Sequence, residues 1–272
     1  MKIAMNTGSL MRFYSMEEAL TEIKKAGFDS VDMSVQSVLS HPDWSPENYV
    51  ETAKRTREHA DNLGLPITQA HSGGDWDRSA HIASIMGAKS IVVHPRIILP
   101  HVGHEDENFL KNMEFYGKLV PIAEKYNIKI AVENMFKWDL KREVINHSSC
   151  SRPDEFVRYM DGLEERYGDL FTACLDIGHV ALVGTDPCDV IYALGDRLTA
   201  LHVHDNDLHT DQHTIPGIGA IDFHAVSKAL KDIHYQGDYA LEVGMKQTKE
   251  LVPATLDYLA IICRYYANEA SN

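Results

Sequence analysis

Eight short apolar runs, each followed by a stretch of helical periodicity, constrain this chain more than any other feature. The runs are Lys2–Asn6, Asp29–Met33, Ile67–Ala70, Ser90–Val93, Ile128–Val132, Phe171–Leu175, Thr199–Val203 and Tyr239–Val243. They are near-continuous and rich in β-branched residues, the pattern of strands buried on both faces. Met16–Ala26 reads as a helix stopped by Gly27. Pro46–Leu63 reads as another, with Ser45 as N-cap and Pro46 in the first helical position. Asn108–Tyr126, Pro153–Tyr167, Phe223–Ile233 and Leu251–Ala267 follow the same logic, and Ala80–Met86 and Cys188–Leu194 are shorter helices. Strand–helix alternation implies a parallel sheet. Eight such units in 272 residues predict an α/β fold, a single (β/α)8 TIM barrel over residues 1–272.

In a barrel of this kind the chemistry sits at the C-terminal ends of the strands. The third run ends at His71, the fourth at His94, the fifth at Glu133 and the sixth at Asp176; the seventh carries His202 and the eighth Glu242. Six consecutive strands therefore deliver a His, Asp or Glu to one rim. The chain holds 15 His in all, and several cluster here. Such a ring is an oxygen and nitrogen donor set suited to Zn2+, Mn2+ or Co2+. Glu133, Asp176 and Glu242 would otherwise repel one another across the mouth. Spare carboxylate oxygens on Glu133 and Glu242 could move a proton beside a polarised carbonyl.

The loops add candidates. Asp176-x-x-His179 places two donors three residues apart at the end of the sixth strand. After the seventh, His202 and His204 share a face, with His204 and Asp205 as candidate orienting groups, and Asp211-x-His213 is a further candidate ligand pair, with a solvated loop of scattered His as the alternative. Pro216-Gly217-Ile218-Gly219 reads as a plain turn, with phosphate binding as the alternative. His41, His101 and His104 read as rim or surface residues, and His59, His81, His224 and His234 as structural residues of helices. Trp44, Trp76, Phe136 and Trp138 could wall a sugar ring or simply pack. Arg96 and Lys137 are the nearest cations for a phosphate or carboxylate.

Lys plus Arg numbers 26 and Asp plus Glu 40, a formal charge of −14. Such a surface repels phosphate backbones, so nucleic acid is not an expected partner. No apolar run approaches the roughly 18 residues of a membrane span. Cys150, Cys174, Cys188 and Cys263 form no C-x-x-C pair and read as free thiols of a reducing compartment. The start, Met1-Lys2-Ile3-Ala4-Met5-Asn6, reads as a first strand rather than a signal peptide, which gives a cytoplasmic expectation.

Val132-Glu133-Asn134, Leu175-Asp176-Ile177-Gly178-His179, His202-Val203-His204-Asp205-Asn206-Asp207 and Leu241-Glu242-Val243 together resemble the xylose isomerase-like barrel superfamily. That group contains sugar and sugar-phosphate isomerases and epimerases, and also the zinc AP endonucleases. The ketose epimerases hold one Mn2+ or Co2+ with Glu, Asp, His and Glu. The resemblance carries that set to Glu133, Asp176, His202 and Glu242, makes Glu133 and Glu242 the proton-moving pair, and gives His179 a contact with substrate. Those epimerases place an Arg shortly after the metal His; here His204 to Pro216 contains neither Arg nor Lys. The AP endonucleases hold three Zn2+ with nine ligands, and candidates for all nine occur in order: His71, His94, Glu133, Asp176, His179, His202, Asp211, His213 and Glu242.

These readings converge on a metal-dependent isomerase or epimerase of a small sugar or sugar phosphate. It would hold one to three divalent ions, with His71, His94, His179 and His204 also able to contact substrate, in a chain that could form a homo-oligomer. The alternatives are a multi-zinc phosphodiesterase of AP endonuclease type and a sugar-binding barrel without activity.

Overall fold

The computed structural model describes residues 1–98, 100–140 and 143–271. Among the described residues ten strands run in chain order: β1 (Ile3–Asn6), β2 (Ser30–Ser34), β3 (Ile67–His71), β4 (Ser90–Val93), β5 (Lys129–Glu133), β6 (Phe136–Asp139), β7 (Val144–His147), β8 (Phe171–Asp176), β9 (Leu198–His202) and β10 (Tyr239–Leu241). Eight form one parallel sheet in the order β10-β1-β2-β3-β4-β5-β8-β9. The two edges meet through a parallel bridge between Val203 and Leu241, with Val203 N–H donating to Ala240 and Glu242 N–H to Val203. The sheet thereby closes into the expected (β/α)8 barrel.

All eight barrel strands fall on the predicted runs. The antiparallel hairpin of β6 and β7 was not foreseen. It is short and half-exposed, so it lacks the continuous apolar signal that marks the barrel strands.

The helices are α1 (Met16–Lys25), α2 (Val35–Val38), α3 (Tyr49–Leu63), α4 (Trp76–Met86), α5 (Glu105–Tyr126), α6 (Pro153–Tyr167), α7 (Ile177–Leu182), α8 (Pro187–Leu194), α9 (Phe223–Asp232) and α10 (Val252–Glu269). The α1 helix opens on a reciprocal capping box between Ser15 and Glu18. The start expected at Ser45-Pro46 is corrected. Ser45 instead ends a 3-10 turn over Pro42–Trp44, and α3 begins three residues after Pro46, at Tyr49. The α5 helix starts earlier than expected, at Glu105, with three acidic residues in its first turn favoured by the helix dipole. No helix among the described residues is long and apolar enough to cross a membrane. The four cysteines are free thiols.

Two apolar layers make the core. The larger lies between the sheet and the helices. The smaller fills the bore and consists of Val92, Ala131, Cys174 and Ala200, one from each of β4, β5, β8 and β9. Side chains alternate along a strand, so residues two positions beyond this layer point into the bore at its upper end. Those positions are His94, Glu133, Asp176 and His202. In β2 the same alternation sends Val31 and Met33 to the outer layer and a further charged group, Asp32, into the bore.

Candidate metal centre

Donor atoms at the mouth fall into three groups, each with its atoms within 4.8 Å of one another: His71, His94 and Glu133; Glu133, Asp176, His202 and Glu242; and His179, His204, Asp211 and His213. The first two share Glu133. The six strand-end residues, together with His179, Asp211 and His213, which the resemblance adds to make nine, are brought together, and His204 joins the third group rather than only standing behind it.

Glu133 ends β5 with only 1% of its side chain exposed. Its Oε1 lies 2.7 Å from His202 Nδ1, and its Oε2 lies 2.8 Å from His94 Nε2 and 3.4 Å from His71 Nε2. Glu242 reaches the same His202 nitrogen at 3.2 Å, with a quarter of its side chain exposed. Burial raises the Glu133 pKa, but the imidazoles of His202 and His94, with hydrogen bonds from His202 and His71, outweigh it and hold the carboxyl well below its usual range. Asp176 behaves alike: burial raises it, while His179 and His204 bring it down to about 2.

Asp176 is also the N-cap of α7, accepting from His179 N–H at 2.7 Å. The cap explains the Asp-x-x-His spacing, because the first helical turn carries the His179 ring to the same side. The Asn134 side chain brackets Asp176 from below, with Nδ2 donating to its carbonyl and Oδ1 accepting from its N–H at 2.9 and 2.8 Å.

The imidazoles are pre-oriented. His213 Nδ1 stands 2.8 Å from the Glu242 carbonyl, His179 Nδ1 3.2 Å from that of Asn134, and His71 Nδ1 3.2 Å from that of Ser72. A carbonyl only accepts, so each Nδ1 carries a proton and each Nε2 is left facing its group. His213 holds this pose from a backbone in the left-handed region, φ 46°, a strained setting for a bulky residue.

Gly178 lets His204 approach: a Cβ there would lie 2.0 Å from the His204 ring. His204 Nε2 sits 3.0 Å from Asp176, and its ring stacks on His213 at 3.9 Å.

A divalent cation fits these residues. His204 Nδ1 is buried without a hydrogen-bond partner. His71 and His94 point their Nε2 atoms at each other across 2.9 Å. Four carboxylates crowd against six imidazoles, and burial, which favours neutral imidazole, is outweighed by Asp176 and Asp211 so that His179 is pushed up to about 10. The acidic neighbours thus favour the charged form of His179; a metal would supply positive charge to the same carboxylates and use the ring lone pairs instead.

The family comparison agrees with this architecture. The family model described as xylose isomerase-like TIM barrel matches residues 20–261. The chain belongs to that family. The uncharacterized protein y4fM of Sinorhizobium fredii is 25% identical over 266 residues, covering 85% of this chain and 81% of that protein. The inosose dehydratase of Clostridium perfringens is 25% identical over 277 residues, covering 92% and 82%. Among solved structures, a D-tagatose 3-epimerase-like protein superposes with TM-score 0.74 at 21% identity, covering 99% of each chain. An IolI protein with a bound zinc atom superposes with TM-score 0.76 at 16% identity, covering 100% of this chain and 98% of the other.

Several expectations of this family member's loops need correction. His101 is not a rim residue: it is buried, with Nε2 3.1 Å from the buried Glu155. His234 lies beyond α9, in a turn with φ 56°. Of the four aromatics, only Phe136 reaches the groups, edge-on to His179 at 4.9 Å. Trp44 is buried and Trp76 packs on Phe115. Arg96 is occupied over the Phe115 ring. Asp205 does not orient a ligand; it accepts from the N–H groups of Gly217, Gly219 and Ile221. The glycine turn is thus a plain turn, its donors already spent on Asp205.

Asp32 escaped the sequence reading. It is fully buried, its Oδ2 lies 3.3 Å from His202 Nε2, and it accepts from Asn6 Nδ2 at 2.6 Å. Its signal was faint: one charged residue inside an otherwise apolar run, two positions from the strand end.

Proposed function

We propose that this protein is a divalent-metal-dependent isomerase or epimerase of a small sugar or sugar-derived polyol. One observation carries the reading: Glu242 is the one partly exposed carboxylate of a group whose other members, Glu133, Asp176 and His202, are sealed in the bore. Those three with Glu242 would hold the ion. When bound, the ion supplies Lewis-acid polarisation of a carbonyl and its neighbouring hydroxyl. Glu242 then faces the substrate and takes the proton from the carbon beside the carbonyl, and can return it to the neighbouring carbon. Glu133 is less suited to the same task than its sequence position implied, because both its oxygens face imidazoles inside the bore. Phe136 supplies an apolar edge beside His179 for a sugar ring, and His179 and His213 can contact hydroxyls.

The test is deuterium exchange. Metal-loaded protein incubated in D2O with a panel of ketoses and aldoses is expected to place deuterium on the carbon next to the carbonyl, and Glu242→Gln to abolish it. A panel without any exchange overturns the reading.

A second reading, a metal-dependent phosphoester hydrolase, is favoured by a different observation: Glu133 is shared by two of three contiguous donor groups. A shared carboxylate suits adjacent ions that clamp both oxygens of a displacement at phosphorus. The charge of −14 argues for a small phosphoester rather than a polynucleotide. Hydrolysis of bis(p-nitrophenyl) phosphate without deuterium exchange would select this reading.

A further inference from the structure

The bore has two polar ends. Strand alternation puts Lys129, Ala131 and Glu133 of β5 on the inside, and likewise Thr172, Cys174 and Asp176 of β8. The upper residue of each belongs to the donor groups and the middle one to the small apolar layer. The lower one is polar. Barrels ordinarily fill that lowest layer with bulky branched side chains. Here it is left open as a cavity of about 1140 Å³ at the end of the barrel opposite the donor groups.

Its charge is reversed against the rest of the chain. Lys2, Lys89, Lys129 and Lys231 line it, against Asp196 and Asp238, in a chain where acids outnumber bases 40 to 26. Asp238 is turned to hydroxyls, accepting from Ser30 at 2.6 Å and Thr68 at 2.7 Å. Lys129 pairs with Asp169, which is 95% exposed, a surface pair easily exchanged for another anion. Among the described residues no ion pair engages Lys2, Lys89 or Lys231. Lys231 lies in the last turn of α9 and offsets that helix's terminal carbonyls. Lys2, Lys89 and Lys129 belong to no helix, so the same explanation does not cover them. One more group waits there: Thr172 Oγ1 is buried without a hydrogen-bond partner.

We infer that this lower chamber is a binding site for a small phosphorylated metabolite, separate from the donor groups at the mouth. Lysine ammonium groups are point-charge partners of phosphate, the Thr172 hydroxyl is a free donor, and the volume exceeds the needs of a phosphate alone, leaving room for an organic remainder against the buried Tyr235 ring. The layer of Val92, Ala131, Cys174 and Ala200 separates the chambers, so a ligand below need not compete with one above.

Calorimetric titration of the metal-loaded protein with ribose 5-phosphate, and separately with inorganic phosphate, tests the site. Saturable binding at one per chain is expected, tighter for ribose 5-phosphate, weakened at least tenfold in the Lys89→Glu/Lys129→Glu double variant and unchanged in a Lys54→Glu control. Equal affinity for the two probes would restrict the site to the phosphate group alone and overturn the metabolite assignment. Binding that survives the double variant but vanishes in His202→Ala would place the anion at the mouth and overturn the inference. So would absence of binding for both probes. Both lysines are exposed, and an unchanged melting temperature will show that the double variant is folded.

Discussion

The Asp32 carboxylate stands 3.3 Å from Nε2 of His202, while Nδ1 of the same ring faces Glu133 at 2.7 Å and Glu242 at 3.2 Å. One nitrogen is thus held from behind and the other presented to the donor group. Groups that fix the tautomer and angle of a ligating imidazole typically change metal affinity about 10–100-fold when removed. Asp32→Asn keeps the shape and one acceptor but removes the charge. It should weaken metal binding within that range while the protein stays folded, measured by competition with a chromogenic chelator. Unchanged affinity would mean that Asp32 serves only packing.

Sharing of Glu133 between two groups makes its loss different from that of any other donor. Glu133→Ala should cost the ions of both groups that contain it, whereas Asp211→Asn should cost only the ion of the third. Elemental analysis of protein purified without chelator would read about three ions per chain in the parent if every group is filled. The count should fall by two in the first variant and by one in the second. Equal losses would show that the groups do not bind independently.

Much of this architecture was legible because it rests on strong local signals. The barrel strands are buried on both faces, so each is a dense apolar run, and the donors end those runs. What escaped lacks such a signal. The β6–β7 hairpin is half-exposed and too short for a clear alternation. The start of α3 was misread because Ser45 and Pro46 make a good cap locally, yet Thr52 Oγ1 donates to Asp43 and the intervening turn docks elsewhere. Asp32 meets His202 only because β2 and β9 face each other across the bore, and the His101–Glu155 pair forms only because a loop folds back onto α6. Both are tertiary facts that spacing in one sequence does not carry.

The close approach of Gly178 to His204 sets a steric test. A methyl group there meets the His204 ring at 2.0–2.5 Å, so the ring must move away from Asp176 and from its stack on His213. Overpacking of this kind costs about 1–3 kcal/mol. Gly178→Ala should therefore lower the melting temperature and weaken the third donor group, leaving the His71–His94–Glu133 group intact. A crystal structure showing His204 unmoved would refute the argument.

The imidazole protons give the pH dependence. Burial lowers the pKa of His179 and His213, but acidic neighbours win: Asp176 and Asp211 bring His179 to about 10, and Asp211 and Glu242 bring His213 to about 9, from an ordinary 6.5. A raised folded-state value stabilises the protein fully below the ordinary value, and that contribution is lost as pH rises through the folded value. Asp176, held near 2, has the opposite sign: its contribution is present above the ordinary carboxylate range and is lost as pH falls through about 2. Metal-free protein should therefore hold its highest melting temperature at mildly acidic pH and lose stability progressively between pH 6.5 and 10. Metal binding runs the other way, since each ligating imidazole must give up its extra proton. At neutral pH binding should release protons, and affinity should climb with pH through about 9–10, where His213 and His179 lose their extra protons. Calorimetry of metal binding in buffers of different ionisation enthalpy counts those protons directly. Fewer should be released by Asp211→Asn, which removes the carboxylate that both rings share. An affinity flat between pH 7 and 9 would show that the imidazoles enter the site already deprotonated.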